Sequence, residues 1–387
     1  MTKPGRERSR GLFLSLAWLG ALPLVASCGG APSPPEPTVG ESTATAAYQV
    51  DPFWPKALPN DWLIGQVGGV AVDARDHIFV LQRPRSLTKD EAGAAQDPPL
   101  ADCCHPAPPI LELDAEGNLI KAWGGPGDGY DWPETEHGIF IDHQDNVWLA
   151  GSGPNDHQML KFDRDGNFLL QIGRPGETGG SNDEQLLGQP ADMGVDPETN
   201  EVYVADGYLN KRVIVFDGET GAYRRHWGAY GNRPDDADLG SYDPDAPLAQ
   251  QFRGPVHGVR IARDGLVYVA DRMSNRIQVF QKDGTFVKEG RVASRTLFIG
   301  STWDIDLSRD PEERVLFVAD GTNQHVWMLD RDDLRTLGSF GRSGRNAGEF
   351  HWVHHMAVDS KGNIYTGEVD TGRRLQKFVP SSTTPGE

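Results

Sequence analysis

The sequence has little cysteine, a deficit of positive charge and almost no helical periodicity. Only three of its 387 residues are Cys, and 37 Lys plus Arg stand against 56 Asp plus Glu, which gives a formal net charge of −19. A chain this acidic has no general electrostatic attraction for nucleic acid, and we expect no nucleic-acid partner. The missing helical periodicity and a hydrophobic fraction of 37% argue against a helical core and against α/β folds.

One apolar run stands out, and it lies at the N-terminus. Basic residues such as Arg6 and Arg8 precede the apolar stretch 11–24, and small residues then lead to Cys28. The stretch is short for a transmembrane helix, and its layout is typical of a secretory signal peptide. The final Cys resembles a bacterial lipobox, in which that residue becomes lipid-modified. We therefore predict that residues 1–28 are a lipoprotein-type signal peptide; an ordinary signal peptide and a transmembrane helix are the alternatives.

This prediction fixes an expected location and divides the rest of the chain. We expect an exported protein that is lipid-anchored through Cys28 to the bacterial cell envelope, on the periplasmic or outer-surface side. Residues 29–47 are rich in Pro, Ser, Thr and Glu and are predicted to be a disordered tether. Residues 48–380 are predicted to form one domain, with a Pro/Ala-rich insertion at 84–109, and 381–387 a flexible C-terminal tail. We expect a monomer.

What the sequence does contain is a repeated unit of roughly 40–50 residues, a period typical of propellers and solenoids. Each copy has an apolar strand, a turn with Asp, Gly or Asn, a second strand such as 202–206, a loop, and two further strands. Six copies of four strands predict an all-β fold, a six-bladed β-propeller, whose closed ring leaves only short protected edges. Residues 48–51 are expected to supply the outer strand of the last blade.

Histidine falls at one position of this repeat in every second copy. The residue that leads the innermost strand is, in chain order, Gly68, His137, Ala191, His257, Trp303 and His354. Alternate blades surround the axis evenly, so the three imidazoles are expected to converge there. Three neutral imidazoles with an open face are how proteins build a catalytic zinc site. We predict that these three histidines bind Zn²⁺ or another divalent transition metal, although a lone histidine at such a position would more simply bond to backbone.

Two arginines and a tyrosine are expected at the same mouth of the ring. Arg83 and Arg272 lie in the loops after the second strands of blades 1 and 4, each 15 residues beyond the leading position, and Tyr208 lies in the matching loop of blade 3. A guanidinium pairs with a carboxylate in bidentate fashion, and a Tyr near cations can act as a base. The simpler alternatives are that Arg272 pairs with Asp271 or with an acid of a neighbouring blade, and that Tyr208 packs within its loop.

The other two cysteines, Cys103 and Cys104, are adjacent and lie inside the insertion. In an oxidising compartment they are expected to form a vicinal disulfide with a structural role. A metal site that includes His105 is the alternative, but adjacent cysteines lack the spacing that zinc knuckles use.

These segments resemble a known family, the peptidyl-α-hydroxyglycine α-amidating lyases, and more loosely the NHL-repeat propellers. The resemblance spans roughly residues 62–378. Its metal histidines match His137, His257 and His354, its arginines match Arg83 and Arg272, and its catalytic tyrosine matches Tyr208 within Ala205-Asp206-Gly207-Tyr208. The resemblance implies NHL-like repeats and a metal-dependent enzyme that cleaves the C–N bond of an α-hydroxyglycine-like carbinolamide to an amide and glyoxylate.

Three departures from the family's pattern stand beside this resemblance. Trp352 replaces a methionine beside the substrate, and Leu209 replaces a disulfide cysteine. His355 stands where the family has an Asp that is tied to a structural Ca²⁺, so the chain departs from the family at this second implied metal site. His351 and His355 are near enough in sequence to His354 to support it from behind.

Three functions compete on the sequence alone. The first is the lyase, acting on a small molecule or peptide with a C-terminal α-hydroxyglycine-like group. The second is a different propeller hydrolase or lyase, such as a lactonase or a streptogramin-type lyase, for which the histidine pattern is not expected. The third is a non-catalytic NHL-repeat binding scaffold at the cell surface.

Overall fold

The computed structural model describes residues 47–381 of the chain. The predicted signal peptide with Cys28, the tether up to residue 46 and the tail from 382 lie outside the described residues. Within the part that is described, no helix is long and apolar enough to cross a membrane.

The described chain forms six four-stranded antiparallel sheets arranged as the predicted six-bladed β-propeller, which confirms the all-β fold. The strands of blades 1 and 2, from inside outwards, are Gln66–Val72, Ile78–Arg83, Ile110–Leu113 and Leu119–Trp123, then Glu136–Ile141, Val147–Gly151, Gln158–Phe162 and Phe168–Gly173. Those of blades 3 and 4 are Pro190–Val195, Glu201–Asp206, Arg212–Asp217 and Tyr223–Trp227, then Val256–Ile261, Val267–Asp271, Arg276–Phe280 and Phe286–Arg291. Those of blades 5 and 6 are Asp304–Leu307, Val315–Asp320, His325–Asp330 and Thr336–Phe340, then Val353–Val358, Ile364–Glu368, Leu375–Ser381 and the N-terminal Ala47–Val50.

Blade 6 is completed by the two ends of the described chain. Ala47–Val50 pairs antiparallel with Leu375–Ser381, with Tyr48 opposite Pro380 and Val50 opposite Phe378. The predicted outer strand is therefore present. It closes the ring, so that only short edges are left.

In blades 1, 2, 3 and 6 the first turn is built by an aspartate that directly follows the inner strand. In blade 2, Asp142 Oδ1 accepts hydrogen bonds from the backbone N–H groups of Gln144 and Asn146, both at 2.9 Å. Asp359 Oδ1 does the same for Lys361 and Asn363 in blade 6. Asp favours such turns because its short side chain can bond backbone N–H groups two to four residues further on.

The core lies between neighbouring blades. One fully buried cluster joins side chains of two blades, namely Tyr203, Val213, Val215, Val259, Val267 and Val269. Equivalent clusters form at the other blade interfaces. Each blade thus buries apolar faces against its neighbours, and alternating strand patterns suffice to specify the stack.

The insertion 84–109 packs beside blade 1. It contains two 3₁₀ turns, Pro84–Ser86 and Gly93–Ala95, and a short strand, His105–Pro106, that pairs in parallel with Trp62–Leu63. Cys103 and Cys104 are joined as a disulfide between adjacent residues. The remaining 3₁₀ turns are Ala229–Gly231 and Arg272–Ser274.

Candidate metal and substrate site

The three histidines meet on the propeller axis. His137, His257 and His354 are each the second residue of the innermost strand of blades 2, 4 and 6. Their ring centroids lie 4.6–5.1 Å apart, and each ring offers a nitrogen within 4.8 Å of the others. At most 2% of any of the three residues is exposed. The convergence expected from their shared register is therefore present.

An irregularity in the backbone aims these side chains inward. In blades 2, 4 and 6 the antiparallel pairing between the first and second strands changes register at the histidine. The shifts lie between Glu136 and Ile139, between Val256 and Gly258, and between Val353 and His355. A bulged residue is released from the ladder, and its side chain is redirected. Because the same shift recurs at each leading position, the histidines point at one centre.

Each imidazole is fixed by a carbonyl of the next blade. His137 Nδ1–H donates to Ala191 O at 2.7 Å, His354 Nδ1–H donates to Gly68 O at 3.0 Å, and His257 Nδ1–H donates to Trp303 O. These acceptors are the leading residues of blades 3, 1 and 5. A carbonyl can only accept, so the proton sits on Nδ1, and each Nε2 keeps its lone pair. This is the usual orientation of a metal-binding imidazole.

The electrostatic setting keeps the imidazoles neutral. Burial, followed by the nearby Arg83 guanidinium, holds the pKa of His137 well below its usual value. Burial and Arg272 do the same to the pKa of His257, and burial and the two other histidines lower the pKa of His354. Neutral imidazole is the form that binds metal ions, so the set fits Zn²⁺ or another divalent transition ion.

The position of the Tyr208 hydroxyl also indicates that a cation fits among the three histidines. Its hydroxyl oxygen lies 2.9 Å from both His137 Nε2 and His257 Nε2. One O–H can donate to only one of two unprotonated nitrogens, which leaves the other facing an oxygen lone pair. A cation among these atoms would remove that conflict.

The Tyr208 loop is held in place by close packing. Gly207 lies so near the backbone of Val256 that a Cβ there would come within 2.1 Å of the Val256 carbonyl oxygen. Asp206 then pairs with the fully buried Arg212 at 2.9 Å. The phenol is therefore carried by a rigid loop that docks beside His257, which argues against a role in loop packing alone.

The two arginines lie beside this cluster, and neither has an acidic partner among the residues that the structure describes. Arg83 donates from Nε to Glu136 O at 2.6 Å and from Nη1 to Gln66 Oε1 at 2.7 Å. Arg272 is 8% exposed, stacks 4.6 Å above the ring of Trp303 and donates to the Tyr208 hydroxyl at 3.3 Å, while its Nε has no partner.

The simple alternative for Arg272, a pair with Asp271, is wrong. Asp271 pairs with Arg276 at 2.9 Å instead. Within residues 47–381 neither Arg83 nor Arg272 forms an ion pair, and two sheltered guanidinium groups without counterions are suited to an anionic ligand.

Aromatic side chains form one wall of the mouth. The Trp303 ring lies 5.8 Å from that of His354 and 5.7 Å from that of Trp352, which in turn lies 6.2 Å from the exposed Phe298. Trp352 has φ +61°, a left-handed conformation that bulky residues rarely adopt and that functional sites often contain. The sequence does not single out Trp303 and Phe298 as site residues, because only the ring closure brings Trp303 beside His354 and Phe298 beside Trp352.

A second buried cluster lies one residue further along the inner strands. Asp192, Asp304 and His355 follow the leading residues of blades 3, 5 and 6, and each offers a potential ligand atom within 4.8 Å of the others. Burial raises and Arg260 lowers the pKa of Asp192, which ends at about 2, while burial raises the pKa of Asp304. Burial lowers the pKa of His355, but Asp304 and Asp192 offset this, and its net direction is upward.

The residues present do not match the family's calcium site, and only one of the two neighbouring histidines lies close to His354. At residue 355 the chain presents an imidazole nitrogen where the family's calcium has a carboxylate, and Ca²⁺ prefers oxygen ligands, so the fit to calcium is poor. The ring centroid of His355 lies 6.4 Å from that of His354, whereas His351 bonds to Thr371 at 2.9 Å in an exposed loop. Cys103 and Cys104 belong to the insertion and not to this cluster.

Comparisons with known proteins agree with this architecture. The NHL repeat family matches residues 256–280, the first three strands of blade 4. The chain is 26% identical to mouse NHL repeat-containing protein 3, over 87% of this chain and 86% of that protein. It is 25% identical to a probable peptidyl-α-hydroxyglycine α-amidating lyase of Caenorhabditis elegans, over 81% of this chain and 82% of that protein.

The chain is also similar to part of a longer protein and, in fold, to a solved structure. The chain is 26% identical to peptidyl-glycine α-amidating monooxygenase B of Xenopus laevis over 82% of its own length, but it spans only 34% of that protein. A streptogramin B lyase structure matches 88% of this chain and all of its own, with a TM-score of 0.53 at 11% identity, which shows a common fold alone. The chain is thus a six-bladed β-propeller that carries an NHL repeat and is similar in sequence to NHL repeat-containing proteins and to α-amidating lyases.

Proposed function

We propose that this protein is a metal-dependent carbon–nitrogen lyase that cleaves α-hydroxyglycine-like carbinolamides to an amide and glyoxylate. One observation carries the proposal: three neutral imidazoles present their Nε2 atoms to one centre, beside a phenol and two guanidinium groups that have no acid to pair with. The similarity to α-amidating lyases points in the same direction.

The proposed mechanism assigns metal binding to the three histidines and proton transfer to Tyr208. His137, His257 and His354 would hold the ion, which when bound supplies Lewis-acid polarisation of the substrate hydroxyl. Tyr208, whose hydroxyl oxygen lies 3.3 Å from Arg272 Nη1, would act as the general base that takes the proton of the substrate hydroxyl. As the C–O⁻ electrons form the aldehyde of glyoxylate, the C–N bond breaks toward nitrogen. Tyr208 then returns the proton to the leaving amide nitrogen, so atoms and charge balance.

The arginines would hold the carboxylate of the substrate, and this gives a testable expectation. Arg83→Ala and Arg272→Ala are each expected to weaken binding of carboxylate-bearing substrates by ~1.5–3 kcal/mol, since a sheltered charge-assisted bond is lost. This equals roughly a 10–150-fold loss in kcat/KM. Kinetics with a substrate amide that lacks the carboxylate should change little. A matched control is Arg174→Ala, because the Arg174 side chain is 70% exposed and forms a surface ion pair with Glu177, away from the site. Equal losses with both substrates would contradict the clamp.

The aromatic wall suggests where the remainder of the substrate lies. Trp303 lies beside His354, Trp352 lies beside Trp303, and the exposed Phe298 lies beside Trp352. Flat apolar groups pack well against such rings. We therefore propose that the acyl part of the substrate is aromatic or otherwise apolar where it adjoins the reacting centre.

The decisive experiment is an assay for glyoxylate. The protein, purified without its first 28 residues and loaded with Zn²⁺, would be given N-acyl-α-hydroxyglycines with acetyl, fatty acyl and aromatic acyl groups. We expect metal-dependent release of glyoxylate with the corresponding amide, and higher kcat/KM for aromatic acyl groups. If no member of the panel is cleaved and the protein binds no divalent metal, the non-catalytic NHL scaffold becomes the better proposal, favoured by the similarity to NHL repeat-containing protein 3.

We also propose that the propeller works at the bacterial envelope, tethered by lipid at Cys28. This residue ends the segment with signal-peptide layout. Cys28→Ala is expected to shift the protein from the membrane fraction to the soluble exported fraction, because the variant has no cysteine at which the lipid anchor can be attached. Fractionation followed by immunoblotting measures this. Continued membrane retention of the variant would instead favour an uncleaved apolar helix.

A further inference from the structure

We propose that a cavity beside Arg83 is a separate binding site for a neutral aromatic group that carries one N–H or O–H donor, such as an indole or a phenol. The cavity has a volume of about 420 Å³ and lies where the insertion 84–109 meets the connection between blades 1 and 2. This volume is in the range of small-molecule sites, roughly 300–1,000 Å³. The site does not depend on the proposed lyase chemistry.

The walls of this cavity are apolar and stiff. Trp62 and Trp132 contribute aromatic rings, and five prolines line the cavity beside them. The parallel pairing of Trp62–Leu63 with His105–Pro106 holds Trp62 against the insertion. Proline has a fixed φ and no N–H group, so these walls keep their shape and offer few donors. A flat aromatic ring packs well against such a surface.

One polar side chain in the wall has an atom without a partner. Glu136 is 1% exposed, and its Oε1 accepts a hydrogen bond from Trp132 Nε1–H at 2.9 Å. Among the described residues, Glu136 Oε2 has no hydrogen-bond partner. A carboxylate can only accept, and a buried acceptor without a donor is costly. A ligand that brings an N–H or O–H group to this oxygen removes that cost.

The carboxylate of Glu136 lacks a donor, and it does not lack positive charge. Arg85 Nη2 lies 3.4 Å from Glu136 Oε1, and Arg85 lines the same cavity. The guanidinium of Arg83 is also close, because its Nε donates to the backbone carbonyl of Glu136 at 2.6 Å. These two cations repel a third one and offset the charge of the carboxylate. A neutral donor therefore suits the site better than an ammonium group.

A second cavity adjoins this site on the side of the mouth. Its volume is about 520 Å³, and Arg83 and Gln66 line it. Arg85 and Glu136 line both cavities. A ring bound in the first cavity therefore lies next to the proposed carboxylate clamp.

Two isomeric probes test the site, because 3-methylindole keeps the N–H donor that 1-methylindole lacks. Isothermal titration of the purified full-length protein would measure the affinity for each. We expect one binding site per chain and an affinity about 10–100-fold higher for 3-methylindole, the usual effect of a hydrogen bond to a charged acceptor. A crystal soaked with 3-methylindole should show the ring beside Trp62 and Trp132, with its N–H group directed at Glu136.

Glu136→Gln removes the free acceptor with little change in shape. The amide has a single oxygen, which Trp132 Nε1–H already needs, so its NH₂ group would face the ligand. The variant should bind both isomers with the lower affinity. Glu177→Gln is the matched control, because the Glu177 side chain is 56% exposed and forms a surface pair with Arg174. The control should keep the preference for 3-methylindole.

Failure of both isomers to bind, or equal affinities for the two, would overturn the proposal. So would a preference that persists in a folded Glu136→Gln protein, or a crystal in which the ring lies against Trp303 instead. If Glu136→Gln does not fold, the two isomers still decide the question in the natural protein. These experiments measure binding without turnover, so failure of glyoxylate release would leave their result untouched.

Discussion

Replacing Tyr208 with phenylalanine is expected to lower glyoxylate-forming turnover by roughly 10²–10⁴-fold, the usual contribution of a general base. The variant loses only the oxygen that lies 2.9 Å from His137 Nε2 and His257 Nε2. Bound metal and melting temperature should therefore stay close to those of the natural protein, because the three Nδ1–H bonds to backbone remain. Steady-state kinetics, metal analysis and thermal unfolding measure the three quantities.

Tyr130→Phe is the matched control for this variant. The Tyr130 hydroxyl donates to Gly125 O at 3.0 Å, away from the axis, so its removal should leave turnover unchanged. If Tyr208→Phe keeps full activity while it binds metal normally, Tyr208 is not the base. The proton would then have to pass to another group at the site.

Replacing His257 with alanine is expected to remove both activity and the metal ion of the first cluster. A three-ligand site loses its geometry when one ligand goes, and even the residues that support ligands cost about 10–100-fold in affinity when they are changed. We expect turnover to fall to background at sub-stoichiometric Zn²⁺. Titration with Zn²⁺ and a competing chelator gives the affinity, and the glyoxylate assay gives the activity.

The control for His257→Ala is His325→Ala, on the third strand of blade 5, where Nδ1 donates to Gly341 O at 3.0 Å. Its loss should leave Zn²⁺ affinity and turnover unchanged. A His257→Ala protein that retained natural activity with no bound metal would disprove the metal-dependent mechanism. We expect Tyr208→Phe to keep the ion and His257→Ala to lose it. Comparing the two variants therefore distinguishes loss of the base from loss of a metal ligand.

Much of the propeller could be predicted from the sequence, since its signals are local and repeated. Alternating apolar residues specify each strand, and an aspartate such as Asp142 or Asp359 builds the following turn from neighbours two to four residues away. The shared register of His137, His257 and His354 required only the assumption of a closed ring. The equal offset of Arg83 and Arg272 from their leading residues placed both arginines at the same mouth.

The partners that side chains choose at the mouth were beyond the reach of the sequence. Nothing in the local pattern around Arg272 shows that the adjacent Asp271 pairs with Arg276 and leaves Arg272 stacked on Trp303. The second cluster was missed for a similar reason. The residues that follow the leading positions are Gly69, Gly138, Asp192, Gly258, Asp304 and His355, a series without the regular alternation that drew attention to the histidines.

The sequence by itself therefore determined the strands, the turns, the number of blades and the shared register of the three histidines. Only the tertiary structure decided which hydrogen-bond and ion-pair partners these side chains find, and which of their atoms have none. The physical reason is that inner strands of neighbouring blades share no backbone ladder, so their side chains find partners across gaps set by ring closure. The carbonyl of Ala191 becomes the acceptor for His137, 54 positions away, because the two blades pack side by side.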